Sequence, residues 1–273
     1  MESWSRYLCN WVKMSANVGK VLIFDLKGPF AHFRKYYTNS SSLSYSFPPR
    51  TTIIGLVAGL LGFERDSYYE SFNDDKCMVA VSIRALIRKI MQTMNYTSTK
   101  SYSLDKILAG GTNPTQIPLE VVCPVHDREL SYRIYFSHTD PEIYGGLRRR
   151  LEEELFVYPP YLGITEFIGE IDYINEGTIS KPSKKDDLID IRSVCRKNAI
   201  AINGLSFEID GDVLQYILEK MPSDFSNDRA VTRYNEYVFE KNNNELRIKS
   251  KEEFFHLDYV ESDRDVSENI IFM

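Results

Sequence analysis

The sequence predicts an α+β fold in which an antiparallel sheet carries two helices on one face, and three observations support this. Four apolar segments alternate with period two. Two others place apolar residues at helical spacing. They follow one another as strand, helix, strand, strand, helix, strand. At 273 residues the chain is long enough to bury such a core and a smaller lobe beside it.

The first strand begins at Lys20, with Leu22, Phe24 and Leu26 on one face and Val21, Ile23, Asp25 and Lys27 on the other. After Gly28 and Pro29 come Phe30, His32, Phe33, Arg34, Lys35, Tyr36 and Tyr37, flat rings mixed with fixed positive charge. Rings stack on unpaired bases, and Arg or Lys pairs with phosphate. Phe30, Phe33 and one tyrosine would equally suit core positions. Pro48 and Pro49 stop any helix, and Arg50 follows. Thr51 or Thr52 is then expected to cap a helix whose free N–H groups point back toward the loop. Gly55 and Gly59 suggest close packing of that helix, since the apolar run is far shorter than a membrane span of ~20 residues.

Cys77 to Leu86 alternates as a second strand, with Arg84 on its other face, and Leu130 to Phe136 reads as a third, with Arg133 and Tyr135 outward. Between them, residues 88–129 form a two-armed projection around Gly110 and Gly111. Its cations and rings, Arg88, Lys89, Tyr96, Lys100, Tyr102 and Lys106, meet few acids before Glu120. Long insertions with little core of their own tend to be functional. Thr139 to Leu155 is the second helix, capped by Thr139 or Asp140 with Pro141 in its first turn. Arg148, Arg149 and Arg150 stand four residues before Glu152, Glu153 and Glu154, as surface ion pairs would. A fourth strand is expected over Phe167 to Ile174.

That order is the ferredoxin-like arrangement of RNA-recognition (RRM) domains, whose open sheet face is available to single-stranded RNA. The expected organisation is a lead over 1–19, a sheet domain over 20–175 with its insertion at 88–129, and a strand-rich acidic lobe over 176–273. In that lobe NNNE suggests a hairpin turn. Residues 1–13 are expected to be dispensable, because Met14 resembles a natural start.

The net charge of −6 is uneven, since residues 200–273 hold sixteen acidic and eight basic groups. That acidic surface suits a protein neighbour. From Leu26 to Thr52 there are Lys27, Arg34, Lys35 and Arg50 and no carboxylate, a local patch fit for phosphate. Cys9, Cys77, Cys123 and Cys195 are widely spaced, as are the four histidines, so reduced buried thiols and no metal are expected. No cofactor or small-molecule substrate is implied. The first residues carry no long apolar stretch and no cleavage site, and a cytoplasmic protein is expected.

GPFAHFRKYYTNSSSLSYSFPPRTTIIGLVAGLLGFERDSYY and the later YPPYLGITEF closely resemble the CRISPR-associated protein Cas five (Cas5) family of the RAMP superfamily, in its type I-B Cascade branch. The resemblance covers about forty residues in detail, and beyond them the order of elements. It implies a non-catalytic subunit that holds the 5′ handle of a mature CRISPR RNA in antiviral defence. Under this resemblance the inserted hairpin is a thumb over the RNA, the neighbours are the backbone and large subunits, and target DNA is met at most indirectly. It also implies that Lys27, His32, Phe33, Arg34, Lys35, Tyr36, Tyr37 and Arg50 lie along the handle. Arg84 and Arg133 would extend the track, and Lys100 and Tyr102 would reach it from the thumb. Arg34→Ala with Arg50→Ala is expected to reduce RNA retention with little change in stability. Some family members instead cut repeat RNA with a tyrosine, a lysine and a histidine. Tyr45 could take the first role here, but His126 lacks a lysine neighbour. A third reading is an RRM-like protein-interaction module without RNA.

Overall fold

Residues 20–28 alternate apolar side chains to both faces, and both faces are covered. They form β1 (Lys20–Gly28), the centre of the molecule. The structure, a computed structural model, describes residues 19–38, 41–97, 104–110, 114–180, 187–209 and 212–273. Residues 1–13, expected to be dispensable, and Lys100 and Tyr102 lie outside the described residues.

Two short strands follow, β2 (Phe33–Arg34) and β3 (Ser44–Tyr45), then helix α1 (Arg50–Leu61) and β4 (Cys77–Ile83). The insertion comprises β5 (Ile87–Thr97), the one-turn helix α2 (Leu104–Leu108) and β6 (Pro114–Pro124). β5 and β6 pair antiparallel from Ile87↔Pro124 to Thr97↔Pro114, a ribbon about 37 Å long at the usual rise per residue. Next come β7 (Leu130–His138), α3 (Pro141–Glu153) and β8 (Glu170–Ile179). β1 pairs antiparallel with both β7 and β8, and β4 pairs with β7. Helices α1 and α3 bury Ile53, Val57, Leu147 and Leu151 against Leu22, Phe24 and Leu26 in one core. The Asp140 side chain caps α3 by accepting from the Glu142 N–H at 2.8 Å. For α1 the expected threonine cap is not made: Pro49 occupies the cap position, with no side-chain bond to the first turn.

The remaining strands are β9 (Leu188–Ile191), β10 (Cys195–Arg196), β11 (Ile200–Leu205), β12 (Glu208–Ile209), β13 (Asp212–Val213), β14 (Tyr216–Phe225), β15 (Val231–Glu240), β16 (Leu246–Ser250), β17 (Phe255–Glu261) and β18 (Arg264–Ile270). The expected boundary at Asn175 falls inside β8, and β17–β18 return to the central sheet, whose order is β18-β17-β8-β1-β7-β4. Residues 255–270 therefore belong to the central sheet, whereas the strands from β9 to β16 pair only among themselves in separate small sheets. NNNE is not a hairpin turn, for β15 pairs with β14 and β10, whereas β16 pairs with β9 and β11. Cys77, Cys123 and Cys195 are free, buried thiols, and burial pushes Cys77 and Cys195 up to about 12.

The sheet face expected to stand open is closed. On a flat sheet β18 and β4 would lie about 24 Å apart, at ~4.8 Å per strand. Yet Arg84, just past β4, reaches Glu268 on β18 at 2.7 Å, and the C-terminal Met273 N–H bonds the Val79 carbonyl at 2.8 Å. The sheet curls into a half-barrel. Val21, Ile23, Met78, Ala80 and Tyr135 meet Phe255, Leu257, Tyr259 and Ile270 in a second core inside the curl. Burial of these apolar residues favours closure, and the arginines of the inner face find carboxylates across it.

Candidate nucleic-acid interface

The ring-bearing turn after β1 is held from three sides. On the thumb side, Ala31 and Val122 exchange backbone bonds at 2.9 Å, Ser42 N–H donates to the Pro118 carbonyl, and Glu120 N–H donates to Ser42. His32 locks this joint. Its Nδ1–H donates to the Glu120 carbonyl at 2.7 Å, and its Nε2 accepts from the Ser42 hydroxyl at 2.9 Å. Burial holds the His32 pKa below the ordinary value, which favours the neutral ring and with it this pair of bonds. Beneath the turn, Gly163 has φ +91°, and a Cβ there would lie 2.0 Å from the His32 carbonyl oxygen. On the third side Glu219 of β14 accepts from Ser46 N–H at 2.9 Å, the Ser46 hydroxyl at 3.1 Å and Lys89 Nζ at 3.0 Å, and pairs with Lys35 at 3.4 Å.

These contacts sort the residues singled out from sequence. His32, Phe33 and Arg50 are only 1–2% exposed. His32 joins turn to thumb, and the Phe33 ring packs edge-on against Tyr132. Arg50, expected beside a polyanion, donates to the carbonyls of Phe72 and Cys77 at 3.0 Å and Ser223 at 3.2 Å, and pairs with Asp74. Arg133 is likewise internal. It forms a two-pronged pair with Asp25 (2.7 and 2.9 Å), a second with Glu261, and a bond to the Tyr259 hydroxyl. Arg84 pairs with Glu268 and also bonds the Tyr135 hydroxyl. The expected Arg84–Arg133 track is therefore closed, because the curl brings C-terminal carboxylates over it.

Three of the four cations in the acid-free stretch meet carboxylates from elsewhere: Lys27 meets Asp172, Lys35 meets Glu219 and Arg50 meets Asp74. Burial is the largest influence on Lys35 and opposes its charge, but Glu219 and Tyr37 together outweigh it and hold the lysine pKa above its ordinary value. Arg34 differs. It is exposed, and its guanidinium contacts the Thr38 carbonyl at 3.4 Å. Beside it Tyr36 and Tyr37 are 43% and 54% exposed, their rings perpendicular at 5.1 Å. The structure thus presents Arg34, Tyr36 and Tyr37 outward at the foot of the hairpin, with Lys35 half-buried behind them and Arg88 exposed on β5. Phe30 is also partly exposed, against Phe167.

Sequence reasoning missed two groups that join this surface, Tyr234 and Lys220. The Tyr234 ring lies 4.6 Å from Tyr36, and Lys220 Nζ stands 5.6 Å from the Tyr234 centroid. A ring on the otherwise polar outer face of β15 was the available signal. Tyr45, the residue considered for cleavage, is 1% exposed, and burial pushes its phenol up, away from anion formation. His126 stands on an exposed bend beyond β6. Among the described residues no cluster of His, Cys, Asp and Glu could hold a metal ion, and no helix is long and apolar enough to cross a membrane.

A family model described as "CRISPR-associated protein (Cas_Cas5)" matches residues 21–239. A crystal structure of a CRISPR protein from Archaeoglobus fulgidus superposes with a TM-score of 0.50 at 13% identity, covering 91% of this chain and 99% of that one. A chain of a CRISPR RNA-guided surveillance complex gives 0.44 at 12% identity, over 83% and 91%. A chain of a type III-B Cmr-beta complex bound to cognate target RNA gives 0.44 at 10%, over 84% and 86%. No curated protein sequence matches.

Proposed function

Because this chain belongs to the CRISPR-associated Cas5 family, we propose that it is a non-catalytic RNA-binding subunit of a type I surveillance complex, of the type I-B Cascade branch, acting in the cytoplasm. In this reading it grips the 5′ handle of the CRISPR RNA and contacts the backbone and large subunits. The observation that carries the proposal is the outward set Arg34, Tyr36 and Tyr37, fixed at the foot of the β5–β6 hairpin by His32, Ser42 and Glu120. A cation beside exposed rings is what a single-stranded RNA end needs, one group for phosphate and the others for bases. A hairpin rooted at the same place suits a thumb folding over that RNA. The ferredoxin-like reading of the central domain is supported by its strand order, β8-β1-β7-β4, fourth, first, third and second of the core strands. The open-face binding mode of RRM domains is not part of the proposal, since that face is filled.

The non-catalytic assignment draws on Tyr45. Acid–base cleavage needs its groups within reach of the RNA and of each other, and this phenol is buried with its pKa raised. Titration of labelled repeat RNA at two salt concentrations, with a parallel incubation in EDTA, tests the proposal. It predicts binding that weakens steeply with salt and leaves the RNA intact. Salt-independent binding, no binding, or specific cuts would overturn it.

A further inference from the structure

We infer that the β14–β15 hairpin of the C-terminal region supplies part of the RNA site, through Tyr234 as a stacking surface for an unpaired base and Lys220 as the cation for its phosphate. The inference rests on the reading of the chain as an RNA-binding subunit and adds to it residues nearly two hundred positions from the signature turn. Glu219, adjacent to Lys220, anchors β14 to Ser46 and to Lys89, and so fixes this hairpin beside the turn. Tyr234 stands on β15 opposite Pro222, next to that anchored stretch.

The result is a strip of three phenol rings. Tyr37 meets Tyr36 at 5.1 Å and Tyr36 meets Tyr234 at 4.6 Å with the planes 35° apart, a row running from the turn onto the hairpin. Core contacts between aromatics leave the rings sealed. Here Tyr37, Tyr36 and Tyr234 are 54%, 43% and 39% exposed, side by side. Cations flank the strip: exposed Arg34 in the same turn, its guanidinium on the carbonyl of Thr38 next to Tyr37, and exposed Lys220 near the Tyr234 ring. Glu236, opposite Lys220 across the hairpin, is already paired with Lys197 at 2.8 Å. An ammonium resting near a ring is held weakly on an exposed surface, so an arriving phosphate draws Lys220 aside and bares the Tyr234 face to a base. Such a strip is tolerant of base identity, because every base has a π-face.

The full-length chain should be titrated with a short fluorescein-labelled oligoadenylate and with an abasic ribose-phosphate strand of the same length. Tyr234→Ala should weaken oligoadenylate binding about tenfold, within the roughly 5- to 140-fold span for losing one stacked base, and leave the abasic strand unaffected. Tyr234→Phe should bind as the parent does. Tyr234→Leu, which retains apolar packing on Tyr36 without a ring, should behave as the alanine variant. Lys220→Ala should weaken both probes and reduce the salt slope by about 0.7. Parental binding by Tyr234→Ala, Tyr234→Leu and Lys220→Ala, with Tyr37→Ala still impaired, would overturn the inference while the RNA reading stood. Absence of binding by the parent chain would bring down both.

Discussion

Arg34 and Arg50 both belong to the acid-free segment from Leu26 to Thr52, yet the structure gives them opposite consequences. Replacing Arg50 by Ala removes three donors from the carbonyls of Phe72, Cys77 and Ser223 and one partner from Asp74, whose side chain is 15% exposed. Breaking a buried, hydrogen-bonded charge pair costs about 3–5 kcal/mol. Arg233 remains on Asp74 and keeps the loss toward the lower end. At about 2–4 °C per kcal/mol for a domain of this size, a loss near 3 kcal/mol should lower the melting temperature by about 6–12 °C. Below that lowered transition, RNA affinity should match the parent chain. Arg34→Ala should shift melting by about 2 °C or less, because the side chain is exposed, but it should reduce the salt slope of RNA binding by about 0.7, one phosphate contact on a single strand. Differential scanning fluorimetry and anisotropy titration on the same preparations separate the two. If Arg50→Ala lost RNA without losing stability, or Arg34→Ala did the reverse, the assignment of inside and outside would be refuted.

Three further outcomes follow from the same contacts. The His32 pKa is lowered by burial, so on acidification the unfolded chain takes the proton first. The stability contribution is complete above the ordinary value of 6.5 and is lost as the pH falls below it. Melting followed from about pH 8 to 5 should show this decline, shallower in His32→Gln, with the rest of the slope carried by buried His138, whose pKa is lowered in the same way. The Glu261 pKa is lowered by its bonds to Arg133, so its contribution is present above the ordinary 4.5 and lost as pH falls through the folded value. Glu261→Gln should melt lower at neutral pH and show less acid dependence, and an unchanged acid profile would contradict the pairing across the curl. Gly163→Ala forces a Cβ onto the His32 carbonyl at a positive φ and should destabilise by at least about 2 kcal/mol; unchanged melting would refute that contact.

Strands and helices were legible because their signals are local. Period two in Val21–Lys27 assigns each side chain to a face, and Asp140 with Pro141 marks a helix start without reference to anything distant. Closure of the sheet was not legible. Arg84 and Glu268 are 184 residues apart, and alternation of Phe255, Leu257 and Tyr259 shows that one face is buried without showing what covers it. The same distance effect misled the charge reading. Lys27, Lys35 and Arg50 lack acidic neighbours along the chain, but the fold brings Asp172, Glu219 and Asp74 to them. Three of the sixteen C-terminal acids, Glu219, Glu240 and Glu268, are likewise turned inward at no more than 7% exposed, while Glu208, Asp228, Glu236, Asp258, Asp263 and Asp265 are exposed. Within the turn, Arg34, Tyr36 and Tyr37 remain outward because the hydrogen bonds of His32, Ser42 and Ser44 hold the neighbouring chain inward.

Ultraviolet cross-linking of the chain in a complex purified with its own RNA, followed by mass spectrometry of the linked peptides, tests the central claim most directly. The account predicts nucleotide adducts on the peptide carrying Arg34, Tyr36 and Tyr37, joined by the one carrying Tyr234. Adducts confined to other surfaces, with that turn unmodified in an RNA-loaded complex, would contradict it.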